Sequence, residues 1–398
     1  MKTILLTIFL IGVGLNTGVT AEGAKLEQKT EEFFPIGVWF EGAPGPAEYP
    51  ADKAGAKKYY DRCFADLAAH GFNCVAVPNC PESLWQTLLE SAQENKIKVI
   101  LEVRPLVELI CRDKPLKETE VYKTVKRVVD KIGNYSSLLR YQVRDEPPPE
   151  QVQNWLVVRN ALEEIDPSRP AFSCFCNPDS LKAATDAAKF SETCFDIYPH
   201  YAKVPAQTLG NFIELLYKFK RASRDNAMWA VLQSFAKPEA WRYPSPEELR
   251  AVTYLSIAAG AKGIFYFLYQ TMPKHSEVLD GLINVDGSPR PLYSTAETLA
   301  RELGKLAPLL MSLKPAEQTA EISGPARAGS FKDPNGNPVL IVASARPGEG
   351  VTVTVSVTTL ETGSWKDALT GEVFSAKNGE LAIPLAPGAG RVLKSTKD

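Results

Sequence analysis

The sequence predicts an α/β fold, a (β/α)8 TIM barrel followed by a small C-terminal antiparallel β-sandwich. Three observations carry this. From residue 33 to about residue 270, short apolar runs alternate with amphipathic helical patterns, as in parallel strands joined by crossover helices. There are eight such units in ~240 residues, the size of a (β/α)8 barrel. Beyond Leu313 the pattern changes to two-residue alternation between turn signals. An open doubly wound sheet has no support, because no glycine-rich phosphate loop follows the first strand.

The eight strand candidates are Ile36–Phe40, Asn73–Val77, Ile97–Val103, Leu138–Val143, Ala171–Phe175, Phe195–Tyr198, Met228–Gln233 and Gly263–Phe267. Helical stretches between them include Lys57–His70, Ser83–Asn95 and Pro246–Ala259, and a last helix runs to about Leu313. Then Ala326–Ser330, Val339–Ala343, Val351–Val357 and Leu381–Leu385 read as strands, with turns at Asp333-Pro334-Asn335-Gly336 and Lys377-Asn378-Gly379. The expected organisation is an export signal over residues 1–21, a barrel over 22–315 and a sandwich over 316–398.

The signal rests on Lys2, the apolar run Ile4–Val13 and small residues ending in Ala21. The run is shorter than the ~20 residues that span a bilayer. The expectation is a secreted or periplasmic protein with no stable membrane insertion after cleavage. Lys and Arg number 45 against 47 Asp and Glu, a net charge of -2 with no long block of like charge. That balance gives no electrostatic reason to expect nucleic acid as a partner. Seven cysteines, an odd number without CxxC spacing, and three isolated histidines, His70, His200 and His275, give no sign of a metal site or cofactor. One or two disulfides would be compatible with export. The sequence carries no sign of oligomeric state.

Strand parity places side chains at the barrel mouth, because one parity packs on the helices and the other points inward. The inward set is Gly37, Trp39 and Glu41 on the first strand, and Lys98, Ile100, Glu102 and Arg104 on the third. It continues with Arg140, Gln142, Arg144 and Glu146 on the fourth, and Asp196 and Tyr198 on the sixth; the seventh ends in Gln233. Polar residues thus gather at the strands' C-terminal ends, where barrel enzymes place their chemistry. A solvated mouth, or an ion pair such as Glu102–Arg144, would account for single residues. The whole set points to a site, since buried unpaired charge is costly.

The motif with most content is Tyr141-Gln-Val-Arg-Asp145-Glu146-Pro147 at the end of strand four. Here the barrel, residues 33–313, resembles the large clan of retaining (β/α)8 glycoside hydrolases, whose acid/base Glu stands at this place, usually in Asn-Glu-Pro. The last 80 or so residues, with Asp367-Ala-Leu-Thr-Gly371-Glu372 in a turn, are similar to the small sandwich common in such enzymes. The resemblance implies Glu146 as general acid/base, its pKa raised by burial and by Asp145, with Arg144 orienting either carboxyl.

One departure stands out. The clan carries a nucleophilic Glu at the end of strand seven, where this chain has Trp229-Ala-Val-Leu-Gln233-Ser234-Phe235, and Glu239 lies farther out in a loop. The adjacent Asp-Glu pair also resembles substrate-assisted hexosaminidases. On that pattern Asp145 orients a 2-acetamido group held by Tyr198, Gln233 or Tyr266. The other route is inversion, with Asp196 or Glu41 as base for a water and the carboxyls ~6.5–9.5 Å apart. Both routes stay open.

Aromatic residues suit sugar rings. Trp39, Tyr198, Tyr201, Trp241, Tyr243, Tyr266 and Tyr269 lie at or after strand ends, and the loop Ala236–Pro246, with Trp241 and Arg242, reads as a groove wall. The expectation is a secreted glycosidase acting on an oligo- or polysaccharide. Its catalytic residues are Glu146, Asp145 and Asp196. Its substrate contacts are Trp39, Glu41, Glu102, Arg104, Arg144, Tyr198, Gln233, Trp241 and Tyr266. The rival is a carbohydrate-binding barrel that has lost catalysis. The missing strand-seven Glu favours the rival, and the Asp145–Glu146 pair argues against it.

Overall fold

The computed structural model describes residues 33–44, 49–272, 279–317, 320–356 and 363–396; the expected export signal lies outside them. The barrel strands are β1 (Ile36–Trp39), β2 (Cys74–Val77), β3 (Lys98–Glu102), β4 (Leu138–Gln142), β5 (Ala171–Phe172), β6 (Cys174–Phe175), β7 (Glu192–Ile197), β8 (Ala227–Gln233) and β9 (Ala261–Phe267). Around them run α1 (Lys53–Ala69), α2 (Trp85–Glu94), α3 (Arg104–Ile110), α4 (Glu118–Ile132), α5 (Val152–Ile165), α6 (Pro178–Ala187), α7 (Phe212–Ser223), α8 (Pro246–Ala258) and α9 (Pro291–Ser312).

The sheet is parallel throughout, in the order β5-β4-β3-β2-β1-β9-β8-β7-β6. Its two ends are one stretch of chain. Residues 171–172 pair with β4 and residues 174–175 pair with β7, so a fifth barrel strand broken at Ser173 closes the ring. Ser173 Oγ accepts a hydrogen bond from Trp155 Nε1 on α5 at 2.8 Å, which anchors the break to the helix layer. This is the (β/α)8 barrel that the periodicity predicts.

Parity behaves as expected along most strands. Trp39, Ala76, Ile100, Phe172, Trp229, Val231 and Phe265 fill the interior. Their alternates Val38, Val75, Val99, Tyr141, Ala230 and Ile264 pack under the helices. The interior is tight enough to dictate a glycine. Gly37 pairs with Phe265, and a Cβ there would lie 2.5 Å from the Phe265 ring and 2.9 Å from the Cys74 carbonyl oxygen.

After α9 the chain forms two antiparallel sheets. One holds β10 (Lys314–Pro315), β12 (Ala326–Lys332), β13 (Pro338–Ser344), β15 (Ser364–Asp367), β16 (Val373–Ser375) and β18 (Gly390–Thr396). The other holds β11 (Glu321–Ser323), β14 (Val351–Ser356) and β17 (Glu380–Leu385). Helix α8 joins this sandwich to the barrel. Leu249, Ala251, Val252, Thr253, Tyr254, Leu255, Ser256, Ile257 and Ala258 are all buried, so the helix is covered on every side. Its outer side meets β12, β13 and β18, with Gly329 against the Ala258 carbonyl and Gly390 against the Tyr254 ring.

Overpacking a rigid interior costs about 1–3 kcal/mol. Gly37→Ala is expected to lose stability of that order in denaturant unfolding, and Phe265→Leu in the same chain to restore part of it.

Candidate active site

The site grows out of the end of β4. The backbone follows the broken fifth strand past the last ladder residue, with Val143 N donating to Phe172 O at 3.0 Å and Glu146 N to Cys174 O at 2.9 Å. At Glu146 φ is +47°, the left-handed region that a residue with a Cβ adopts only under constraint. Consecutive residues of a strand face opposite ways. The left-handed turn breaks that alternation, and Asp145 and Glu146 both reach the same cleft.

The third carboxyl comes from β7. Asp196 is 7% exposed, its Oδ1 lies 3.7 Å from Cys174 Sγ, and the nearby Glu146 carboxyl acts on it electrostatically. The cleft measures about 440 Å³. Besides Asp145, Glu146 and Asp196 it presents the thiols of Cys174 and Cys176 and the rings of Trp39, Tyr198, Tyr201, Phe235, Trp241 and Phe267. None of its described lining residues is cationic.

This arrangement resists negative charge. Burial pushes Asp196 up to about 7, and the Glu146 carboxyl adds to the effect. Asp145 keeps some open surface but is enclosed by protein. Burial raises it well above the usual carboxylate range, helped by Asp196, Glu146 and Glu102. Arg144 pulls the other way, yet its donors go to Gln151 Oε1 at 2.9 Å and the Asp145 carbonyl at 2.6 Å. Among the described residues no group of three or more His, Cys, Asp or Glu is arranged to hold a metal ion.

Of the expected substrate contacts, Trp39, Tyr198 and Trp241 line the cleft. Glu41 and Glu102 are not among the lining residues; Asn79 Nδ2 lies 3.4 Å from Glu41 Oε2, and burial raises the Glu102 carboxyl above its usual range. Three expectations need correction. Arg104 opens α3 instead of ending a strand, and pairs on the surface with Glu108 at 3.4 Å. Tyr266 lies between β9 and α8 with its hydroxyl 3.2 Å from Thr253 Oγ1, because Phe265 and Phe267 take the inner parity. Gln233 has the inward parity, but its amide is sealed in. It accepts from His200 N at 2.9 Å and donates to Arg242 O at 3.0 Å and Phe235 O at 3.2 Å.

The cleft wall is held by Glu248 in the first turn of α8. Its buried carboxylate accepts from Arg242 Nη1 and Nη2 at 2.7 Å each, Thr208 N at 3.1 Å and Ser245 N at 2.7 Å. Those donors hold its pKa down against the cost of burial. His200 lies beside it, fully buried, with neither ring nitrogen hydrogen-bonded, and burial drops its pKa to about 4. The sequence singled out the Trp241 loop but missed Glu248, Cys174, Cys176, Phe235 and Phe267. Continuing the parity from Phe172 along strand five, and from Phe265 along strand eight, would have found Cys174, Cys176 and Phe267.

No protein-family model matches the sequence, and no curated protein matches it. Solved structures share the fold. A family 5 glycoside hydrolase from Bacteroides vulgatus superposes with TM-score 0.60 at 13% identity, over 92% of this chain and 89% of its own. A family 27 β-L-arabinopyranosidase from Geobacillus stearothermophilus gives TM-score 0.60 at 12% identity, over 92% and 97%. A family 39 glycoside hydrolase from the gut symbiont Bacteroides cellulosilyticus gives 0.53 at 16%, over 92% and 82%. At these identities the likeness is one of fold.

Two pH dependences follow. Asp196 binds its proton more tightly folded than unfolded, so its contribution to stability is full below 3.8 and is lost as pH rises towards about 7. Asp196→Asn is expected to melt at least about 2 °C above wild type at pH 8 and no higher at pH 4. His200 has the opposite sign. The unfolded chain protonates it below 6.5 and the folded chain only below about 4, so stability falls as pH drops through that window. His200→Leu should flatten this acid loss in thermal melts.

Proposed function

We propose that this chain is a glycoside hydrolase that cleaves O-glycosidic bonds, exported by residues 1–21, with its chemistry in the barrel of residues 22–315. The observation that carries the reading is the meeting of three carboxyls from two strand ends in one aromatic cleft, one of them protonated up to about 7. Cleaving a glycosidic bond needs a proton for the leaving oxygen and negative charge near the anomeric carbon. The Glu146–Asp196 pair holds the proton. Glu146, the more open member, delivers it as general acid and recovers it from water. Asp145 supports the positive charge that develops on the sugar. A carboxyl whose charge is penalised at rest gains most when a cation forms beside it, which favours the transition state over the bound substrate.

Gln233 supplies no nucleophile on this reading, and its amide is already committed to the backbone. The absence of cations from the described lining favours neutral sugars over acidic ones. The sandwich of residues 316–398 serves as support.

Glu146→Gln keeps the shape and removes the acid. Turnover of a panel of neutral oligosaccharides should fall about 10²–10⁴-fold with the melting temperature preserved. In the wild type kcat/KM should decline as pH rises through about 7, where Asp196 loses its proton. A Glu146→Gln variant as active as wild type would move the chemistry elsewhere.

A further inference from the structure

Beyond its carboxyls the cleft reaches an aromatic rim. Tyr201 is 47% exposed, and among the described residues it is the one large hydrophobic side chain this open that also lines the cleft. A single exposed ring needs no explanation; this one is built in place. It stacks on Trp241 with centroids 5.6 Å apart and planes 28° from parallel. The two residues form a main-chain bridge, and Ala202 N donates to Ala240 O at 2.8 Å. Trp241 Nε1 donates to Tyr198 O at 3.3 Å. The next residue, Arg242, is clamped by Glu248. Both loops under the rings are therefore fixed before anything binds, so little ordering cost remains for a ligand.

Trp241 covers one face of the Tyr201 ring, which leaves the exposure to the other. Exposure varies along the cleft lining: Trp39 and Asp196 are 4% and 7% exposed, and Tyr201 is 47% exposed. We infer that Tyr201, backed by Trp241, is a platform for a second sugar ring, the one on the solvent side of the bond that the carboxyls attack. This rests on the glycosidase reading and names its substrate class: a neutral oligosaccharide of at least two rings, rather than a glycoside with a small leaving group. A pyranose lays its C–H face on an aromatic ring and keeps its hydroxyl edge in water.

The test compares wild type, Tyr201→Ala and Tyr201→Phe. The probes are cellotetraose, maltotetraose, xylotetraose and tetra-N-acetylchitotetraose, together with the matching glycosyl fluorides, whose leaving group cannot reach the rim. Tyr201→Ala should lose at least about tenfold in kcat/KM on the preferred tetrasaccharide, mostly through KM, and less than about threefold on its fluoride. Tyr201→Phe, which keeps the stack, should stay within about threefold on both. Equal losses on both substrates would mean a structural role, and equal retention would mean that no ring sits there; either overturns the platform and leaves the glycosidase reading standing. If wild type hydrolyses nothing, calorimetric titration with the four tetrasaccharides decides. Binding that Tyr201→Ala weakens keeps the platform and sinks the hydrolase. Absence of binding to all four sinks both.

Discussion

The cleft depends on a carboxylate that never touches it. Glu248 gathers a backbone N–H from the loop after β7, both arms of Arg242 from the loop after β8, and the N–H of its own N-cap residue. It thereby fixes three chain segments around one buried charge. Four donors on one buried carboxylate repay its desolvation, which a lone ion pair there would not. The same point fixes Arg242, hence Trp241 and the Tyr201 stack, and beside it the Gln233 amide carries the backbone from β8 across to His200.

The three cleft carboxyls follow the opposite rule. Glu248 is buried and satisfied; Asp145, enclosed by protein, and the buried Asp196 oppose one another. Arg144, the cation that acts on Asp145, is turned to Gln151 and a main-chain carbonyl. The fold thus spends stability at one place and recovers it at another, the pattern expected where charge must be available to a reacting molecule. The left-handed backbone at Glu146 belongs to the same expenditure.

Most of the barrel was legible because its signal is local. Runs of apolar residues mark the eight strands, and two-residue parity sorted interior from exterior on β1 and β3; on β4 a register shift opposite Val99 and Ile100 puts Leu139, of the outer parity, against the interior. Strands β10, β11, β15, β16 and β18 escaped, the first four because they hold two to four residues and β18 because GRVLKST lacks sustained alternation. At the mouth, parity was reliable only while the chain stayed extended. It placed Asp196, Tyr198 and Trp39 well. It failed at Arg104, where a helix begins at once, and it could not foresee that one positive φ turns Asp145 to the same side as Glu146. Tyr266 was named for its aromatic ring, against the parity of its own strand. The Glu248 clamp joins residues from 208 to 248 across two loops, and no periodicity encodes that.

Helix α8 has a consequence for the order in which this chain becomes a protein. Its outer side is covered by β12, β13 and β18, and the last of these is made of residues 390–396. A ribosome releases that strand only after the whole barrel has been made. Until then a nascent barrel carries a bare, sticky helix where its finished form has a sheet, and it cannot settle segment by segment from the N-terminus as independent modules do. Barrel and sandwich are therefore coupled in folding.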